Sequence, residues 1–206
     1  MLRFLAAWLL FICACGAPAE PRTLLVLGDS LSAAYNMPVE SGWVRLLDDA
    51  LAERAPGEWR VVNASISGET TSGGLARLPA ALAAHRPDLV ILALGANDGL
   101  RGLPLASVRA NLERMIALAR EAGAKVGLAG IELPVNYGEG YRSRLRNMYA
   151  TLAQETGVPL LPFLIEPIAA DPANFQDDAV HPNAAAQPAI RDHVLAWLDR
   201  EGLLGR

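Results

Sequence analysis

Short apolar runs recur along the chain with helix-patterned stretches between them, and this alternation restricts the fold more than any other feature. Thr23 to Leu27 is one such run, ended by Gly28; Trp59 to Val62, Asp88 to Leu94, Lys125 to Ile131 and Val158 to Leu161 follow it. Brief runs with little polar alternation suit strands buried on both faces of a parallel sheet. The stretches between them carry apolar residues at helical spacing. A helix is expected from Ser41, as its cap, through Glu53, with Val44, Leu47 and Leu51 on one face and Pro56-Gly57 closing it. Further helices are expected at Leu75 to Ala84, at Pro104 to Ala122 before Gly123, and at Tyr141 to Glu155 before Gly157. A last one runs from about Ala184 to Arg200, with Asn183 as its cap and Pro188 tolerable only near the first turn. Strands alternating with helices build βαβ units, so the expected class is α/β, a three-layer α/β/α sandwich around a five-stranded parallel sheet.

Composition narrows the partners. At 206 residues the chain has room for one such domain. Its 52% hydrophobic and 19% charged residues exclude a disordered chain. A net charge of -4 without any basic cluster gives no footprint for a phosphate backbone, so nucleic acid is not an expected partner. Met1 to Arg3 followed by apolar Phe4 to Cys15 and Ala17-Pro18-Ala19 has the form of a secretory leader cut before Glu20. The domain would then span 20–206, without either cysteine, in a periplasmic or secreted protein. The alternative is that Ile12-Cys13-Ala14-Cys15 is an imperfect lipobox with Cys15 lipidated. No segment is long and apolar enough to predict a transmembrane helix.

Each predicted strand is followed by an irregular stretch: Asp29 to Glu40, Asn63 to Gly74, Gly95 to Leu103, Glu132 to Gly140 and Phe163 to Pro182. Loops at the carboxyl ends of parallel strands converge, which makes them the place to look for function. The first opens Gly28-Asp29-Ser30-Leu31-Ser32, which either presents a serine hydroxyl beyond the strand or forms an ordinary Ser/Asp capping turn. The next two carry Ser67-Gly68-Glu69 and Gly95-Ala96-Asn97-Asp98-Gly99. Glycine permits close backbone approach and an asparagine amide can donate to an oxyanion, although both are also common turn formers. In Asp177-Asp178-Ala179-Val180-His181-Pro182-Asn183, Pro182 biases His181 toward an extended backbone and the three-residue offset lets Asp178 reach it. A carboxylate on one imidazole nitrogen fixes the tautomer and leaves the other to take a proton from serine. His85 at a helix end and His193 within the last helix lie away from these loops. No serine has glycines at both flanking positions of a nucleophile elbow, and no glycine-rich phosphate cradle follows a strand. A metal site built from Asp29, Asn97, Asp178 and His181 would want more imidazoles and bridging carboxylates, so neither metal nor cofactor is expected. A serine hydrolase fits the loop chemistry best.

Four blocks together resemble the signature motifs of the SGNH (GDSL) hydrolases: Gly28 to Ser32, Asn63 to Thr70, Gly95 to Gly102, and Asp178 to Asn183. They stand in the family's order. Gly74 to Pro79 and Leu133 to Gly138 are similar to the periplasmic subgroup with thioesterase, lysophospholipase and arylesterase activity. The resemblance implies a flavodoxin-like sheet, Ser30 as nucleophile, His181 as general base and Asp178 as its orienting partner. It also implies an oxyanion hole from the N–H groups of Ser30 and Gly68 and the Asn97 side chain. Ala96 stands where the subgroup often has a second glycine, which leaves the catalytic groups intact. Leu100 and Leu103, beside Gly99 and Gly102, and Leu133, Pro134 and Tyr137 are the expected substrate-binding residues, walls of an apolar groove for a small-molecule or lipid ester. Nothing in the sequence sets the oligomeric state. Competing expectations are a carbohydrate O-deacetylase with the same triad, and a non-catalytic secreted binding module.

Overall fold

Leu24 and Val26 of β1 (Arg22–Gly28) point into one core and Leu25 and Leu27 into another, and all four are fully buried. That two-sided burial is why the run carries no polar alternation. In the computed structural model, which describes residues 20–205, β1 lies inside a parallel sheet with β2 (Trp59–Asn63), β3 (Leu89–Ala93), β4 (Lys125–Ala129) and β5 (Leu160–Leu161). The strand order is β2-β1-β3-β4-β5. Leu24 pairs with Val61 on one side and Leu89 on the other. The leader, its cut after Ala19 and the lipidation of Cys15 fall outside the described residues.

Helices cover both faces, which makes the expected three-layer α/β/α sandwich. On one side α1 (Trp43–Arg54) and α6 (Gln187–Arg200) pack together, with Trp43, Leu47 and Trp197 in their core. On the other, α2 (Thr71–His85), α4 (Leu105–Glu121) and α5 (Glu139–Thr156) bury Leu78, Leu112 and Tyr149. No helix among the described residues is long and apolar enough to cross a membrane.

Several boundaries depart from the periodicity for identifiable reasons. Ser41 does not cap α1: Gly42 takes that position without a side-chain bond, and Gln187 at the start of α6 accepts the Trp43 N–H at 3.0 Å. α2 starts earlier than expected because Thr70 caps it, its side chain accepting from the Gly73 N–H. The glycines that hid this turn have a packing purpose, since a Cβ on Gly74 would lie 2.3 Å from the Leu94 side chain. The expected loop from Gly95 to Leu103 holds a short helix, α3 (Ala96–Leu100). Asn183 caps a 3-10 turn, Ala184–Ala186, ahead of α6.

Candidate active site

The chain leaves β1 toward β2 on one side and resumes at β3 on the other, so a crevice opens beyond the ends of β1 and β3. Ser30 follows the first of these strands and Asn97 the second. The turn carrying Ser30 is built around Asp29, which is only 1% exposed. Its carbonyl accepts the N–H groups of Ser32 at 3.1 Å and Ala33 at 2.9 Å, and its carboxylate accepts that of Leu31 at 3.1 Å. With Asp29 drawn inward, Ser30 faces the crevice. Burial pushes the Asp29 carboxyl up to about 6 against the opposing pull of the Leu31 N–H.

The segment after β5 returns across the sheet edge and places His181 against that turn. His181 Nε2 lies 2.9 Å from Ser30 Oγ, and Nδ1 lies 2.7 Å from Asp178 Oδ2. The other Asp178 oxygen accepts the backbone N–H groups of Val180 and His181, each at 2.9 Å. That tight turn puts Ala179 in the left-handed region at φ 55°. The His181 N–H, with the imidazole and the Val180 N–H behind it, holds Asp178 down at about 2. An ionised Asp178 makes Nδ1 the protonated nitrogen and leaves the Nε2 lone pair facing the serine hydroxyl.

Asn97 lies in the first turn of α3, and its neighbour Asp98 anchors that helix. Asp98, 2% exposed, accepts the Thr71 N–H at 2.9 Å and the Thr71 hydroxyl at 2.7 Å, while Asn111 donates to the same hydroxyl oxygen. Gly95 makes the sharp entry from β3 possible: its φ is 120°, and a Cβ there would lie 2.1 Å from the Tyr149 hydroxyl. Asn97 Nδ2 donates to Asp29 at 3.4 Å, so one amide proton is directed inward and the other is left for a ligand. Gly68, with φ 79°, is held through its carbonyl by Arg101 at 3.0 Å. Among the described residues neither the Ser30 N–H nor the Gly68 N–H donates to a protein acceptor.

Ser30, Asn97 and His181 open onto a cavity of about 1010 Å³. Of the expected wall, Leu100, Leu133 and Pro134 line it. Leu103 and Tyr137 do not. Leu103 is 37% exposed outside the cavity, and the Tyr137 hydroxyl donates to the Leu100 carbonyl at 3.0 Å, bracing the wall from behind. Phe163, Ile165, Phe175 and Val180 form the opposite wall, which no sequence pattern marked. Glu132, Arg142 and Arg146 also border the space, with Glu132 paired to Arg142 at 3.2 Å and to Arg146 at 3.0 Å. Tyr35 was also unforeseen: its ring centroid lies 4.2 Å from that of His181. The remaining histidines are elsewhere, His85 ending α2 and His193 bonding the Phe163 carbonyl at 3.1 Å. Among the described residues no three His, Cys, Asp or Glu converge on a point that could hold a metal ion.

A family model described as the GDSL-like lipase/acylhydrolase family matches residues 26–188. An arylesterase of Vibrio mimicus is 46% identical over 194 residues, 94% of this chain and 96% of the relative. Thioesterase 1/protease 1/lysophospholipase L1 of Escherichia coli K12 is 44% identical over 183 residues, 89% of this chain and 84% of its own. The crystal structure of the psychrotrophic esterase EstA from Pseudoalteromonas, inhibited by monoethylphosphonate, superposes with a TM-score of 0.83 at 39% identity, covering 87% of this chain and 98% of that one.

Proposed function

The chain belongs to the GDSL-like lipase/acylhydrolase family and is a serine hydrolase; from that premise we propose that it hydrolyses carboxylic esters and thioesters of apolar acyl groups through an acyl-enzyme on Ser30. The observation that carries this is the hydrogen-bonded chain from Ser30 through His181 to Asp178, at 2.9 and 2.7 Å, at the mouth of the apolar cavity.

As Ser30 Oγ bonds to the acyl carbon, its proton passes to His181 Nε2, and the imidazolium that forms is stabilised by ionised Asp178. The carbonyl oxygen becomes an oxyanion facing the N–H groups of Ser30 and Gly68 and the free amide proton of Asn97. Collapse of this intermediate expels the alcohol or thiol, which takes the proton back from His181. Water then attacks the acyl-enzyme with His181 again as base, releasing the acid and restoring Ser30. Aryl esters, acyl thioesters and lysophospholipids fit a site that grips the acyl chain and leaves the leaving group in the open. The names of the relatives span the same range. The leader-like stretch Met1 to Ala19 supports export, to the periplasm or beyond.

A fluorophosphonate probe tests the assignment directly. It should label the protein at Ser30, and Ser30→Ala should abolish both labelling and ester turnover; labelling that persists on another serine would overturn the triad.

A further inference from the structure

The two in-plane hydrogen bonds of His181 fix the edges of its ring and leave it free to tilt about the line joining them. Tyr35 lies against one face of the ring, tilted by 31°. Its placement is built into the backbone. Ala34 at φ 56° and Asn36 at φ 54° put non-glycine residues on both sides of Tyr35 in the left-handed region, which chains avoid unless surrounding contacts enforce it. Gln176 supplies those contacts. Its Nε2 donates to the Tyr35 carbonyl at 3.0 Å and the Pro182 carbonyl at 3.1 Å, its Oε1 accepts from Asn36 at 3.3 Å, and its backbone N–H donates to the His181 carbonyl at 2.8 Å. One side chain therefore joins the loop carrying Tyr35 to the loop carrying the base.

We propose that Tyr35 is a positioning residue for the general base: Gln176 holds the backbone that carries it, and its ring, laid against His181, keeps the imidazole in the plane linking Ser30 to Asp178. The proposal rests on the triad assigned above. The same contact offers an aromatic face to the positive charge that the imidazole acquires when Ser30 attacks. Tyr35 is 41% exposed, so its substitution leaves the core untouched.

The test compares Tyr35→Ala, Tyr35→Phe, Gln176→Ala and Ser30→Ala using a p-nitrophenyl butyrate assay, fluorophosphonate labelling rates and thermal melts. Tyr35→Ala should lower kcat and the labelling rate about tenfold while KM and the melting temperature hold, the scale expected for losing one aromatic contact in the transition state. Tyr35→Phe should restore both rates to within about twofold, because stacking requires the ring and not the hydroxyl. Gln176→Ala should shift kcat in the same direction as Tyr35→Ala. Unchanged kcat in Tyr35→Ala, a change in KM alone, or failure of the phenylalanine to rescue would each overturn the proposal. Ser30→Ala separates the two layers: residual labelling there defeats the triad itself, whereas clean loss of labelling beside a fully active Tyr35→Ala defeats only the positioning role.

Discussion

Asp29 and Asp178 stand on either side of the serine–histidine pair and are shifted in opposite directions. Burial raises Asp29 from 3.8 to about 6, and hydrogen bonds led by the His181 N–H lower Asp178 from 3.8 to about 2. Between the unfolded and folded values of Asp29, the native protein holds a proton that the unfolded chain has released, so stability falls as pH rises through that window. Above it, the ionised and buried group costs on the order of 3 kcal/mol. Asp178 acts in the reverse sense. Its stabilisation is complete above the unfolded value and is lost as pH falls toward about 2. In Asp29→Asn, urea unfolding across pH should lose the decline between about 4 and 6 that the wild type shows, while kcat drops. The drop follows from geometry: the Leu31 N–H and the Asn97 amide go to different carboxylate oxygens, and with the asparagine oxygen kept on Leu31 an NH2 group faces the Asn97 amide, so Asn97 loses its orientation. A wild-type decline retained in the variant would show that another group titrates there. At this scale His181 stood out as the one histidine in these loops, with Asp178 three residues before it, whereas Ser30 and Asn97 were picked out only by the four motif blocks taken together. Tyr35 was not legible, since nothing local says which face a tyrosine five residues beyond the serine will cover.

Gln187 illustrates what periodicity cannot encode at the scale of elements. The alternation of apolar runs identified the strands and most of the helices, but the N-terminus of α1 depends on a glutamine 144 residues away. The Trp43 N–H is buried, and Gln187 is 1% exposed. Gln187 Nε2 also reaches the Pro182 and Asn183 carbonyls at 3.5 and 3.4 Å, so this side chain ties α1, the start of α6 and the segment after His181 together. Gln187→Ala should therefore cost about 1–3 kcal/mol, the range for a lost cap that strands a buried donor. Gln187→Glu keeps the acceptor for Trp43 but sets an oxygen against the Pro182 and Asn183 carbonyls and buries a charge, so at neutral pH it should not recover this stability. Denaturant melts of the two variants check it, and equal stability of Gln187→Ala and wild type would mean that Trp43 finds another acceptor. The same limit explains α3. Its five residues are too few to display a period, and its start depends on the positive φ of Gly95 and on Tyr149, which arrives from α5.

Across the whole molecule, the order β2-β1-β3-β4-β5 gathers the candidate chemistry at one edge, with the serine turn and the asparagine helix on the two strands where the order reverses. The sheet and this edge follow from the alternation of runs and loops. The cavity does not, because one stretch of its wall comes from the largely irregular segment between Phe163 and Val180, which has no sequence period. Its size and lining lead to a dependence on substrate length. Each methylene of an acyl chain moved from water into an apolar wall contributes up to about 0.8 kcal/mol, or about fourfold in kcat/KM where the transition state retains the contact. Across p-nitrophenyl esters from acetyl to octanoyl, kcat/KM should climb with each added carbon and stay below that ceiling per step. Ala150, on α5, borders the cavity and is exposed, so Ala150→Phe can narrow the space without disturbing the core. It should reduce octanoyl turnover more than butanoyl turnover, lowering the ratio of the two. An acetyl optimum with no octanoyl hydrolysis would instead assign the triad to removing acetyl groups from a polar substrate such as a carbohydrate, and the apolar walls would then serve packing alone.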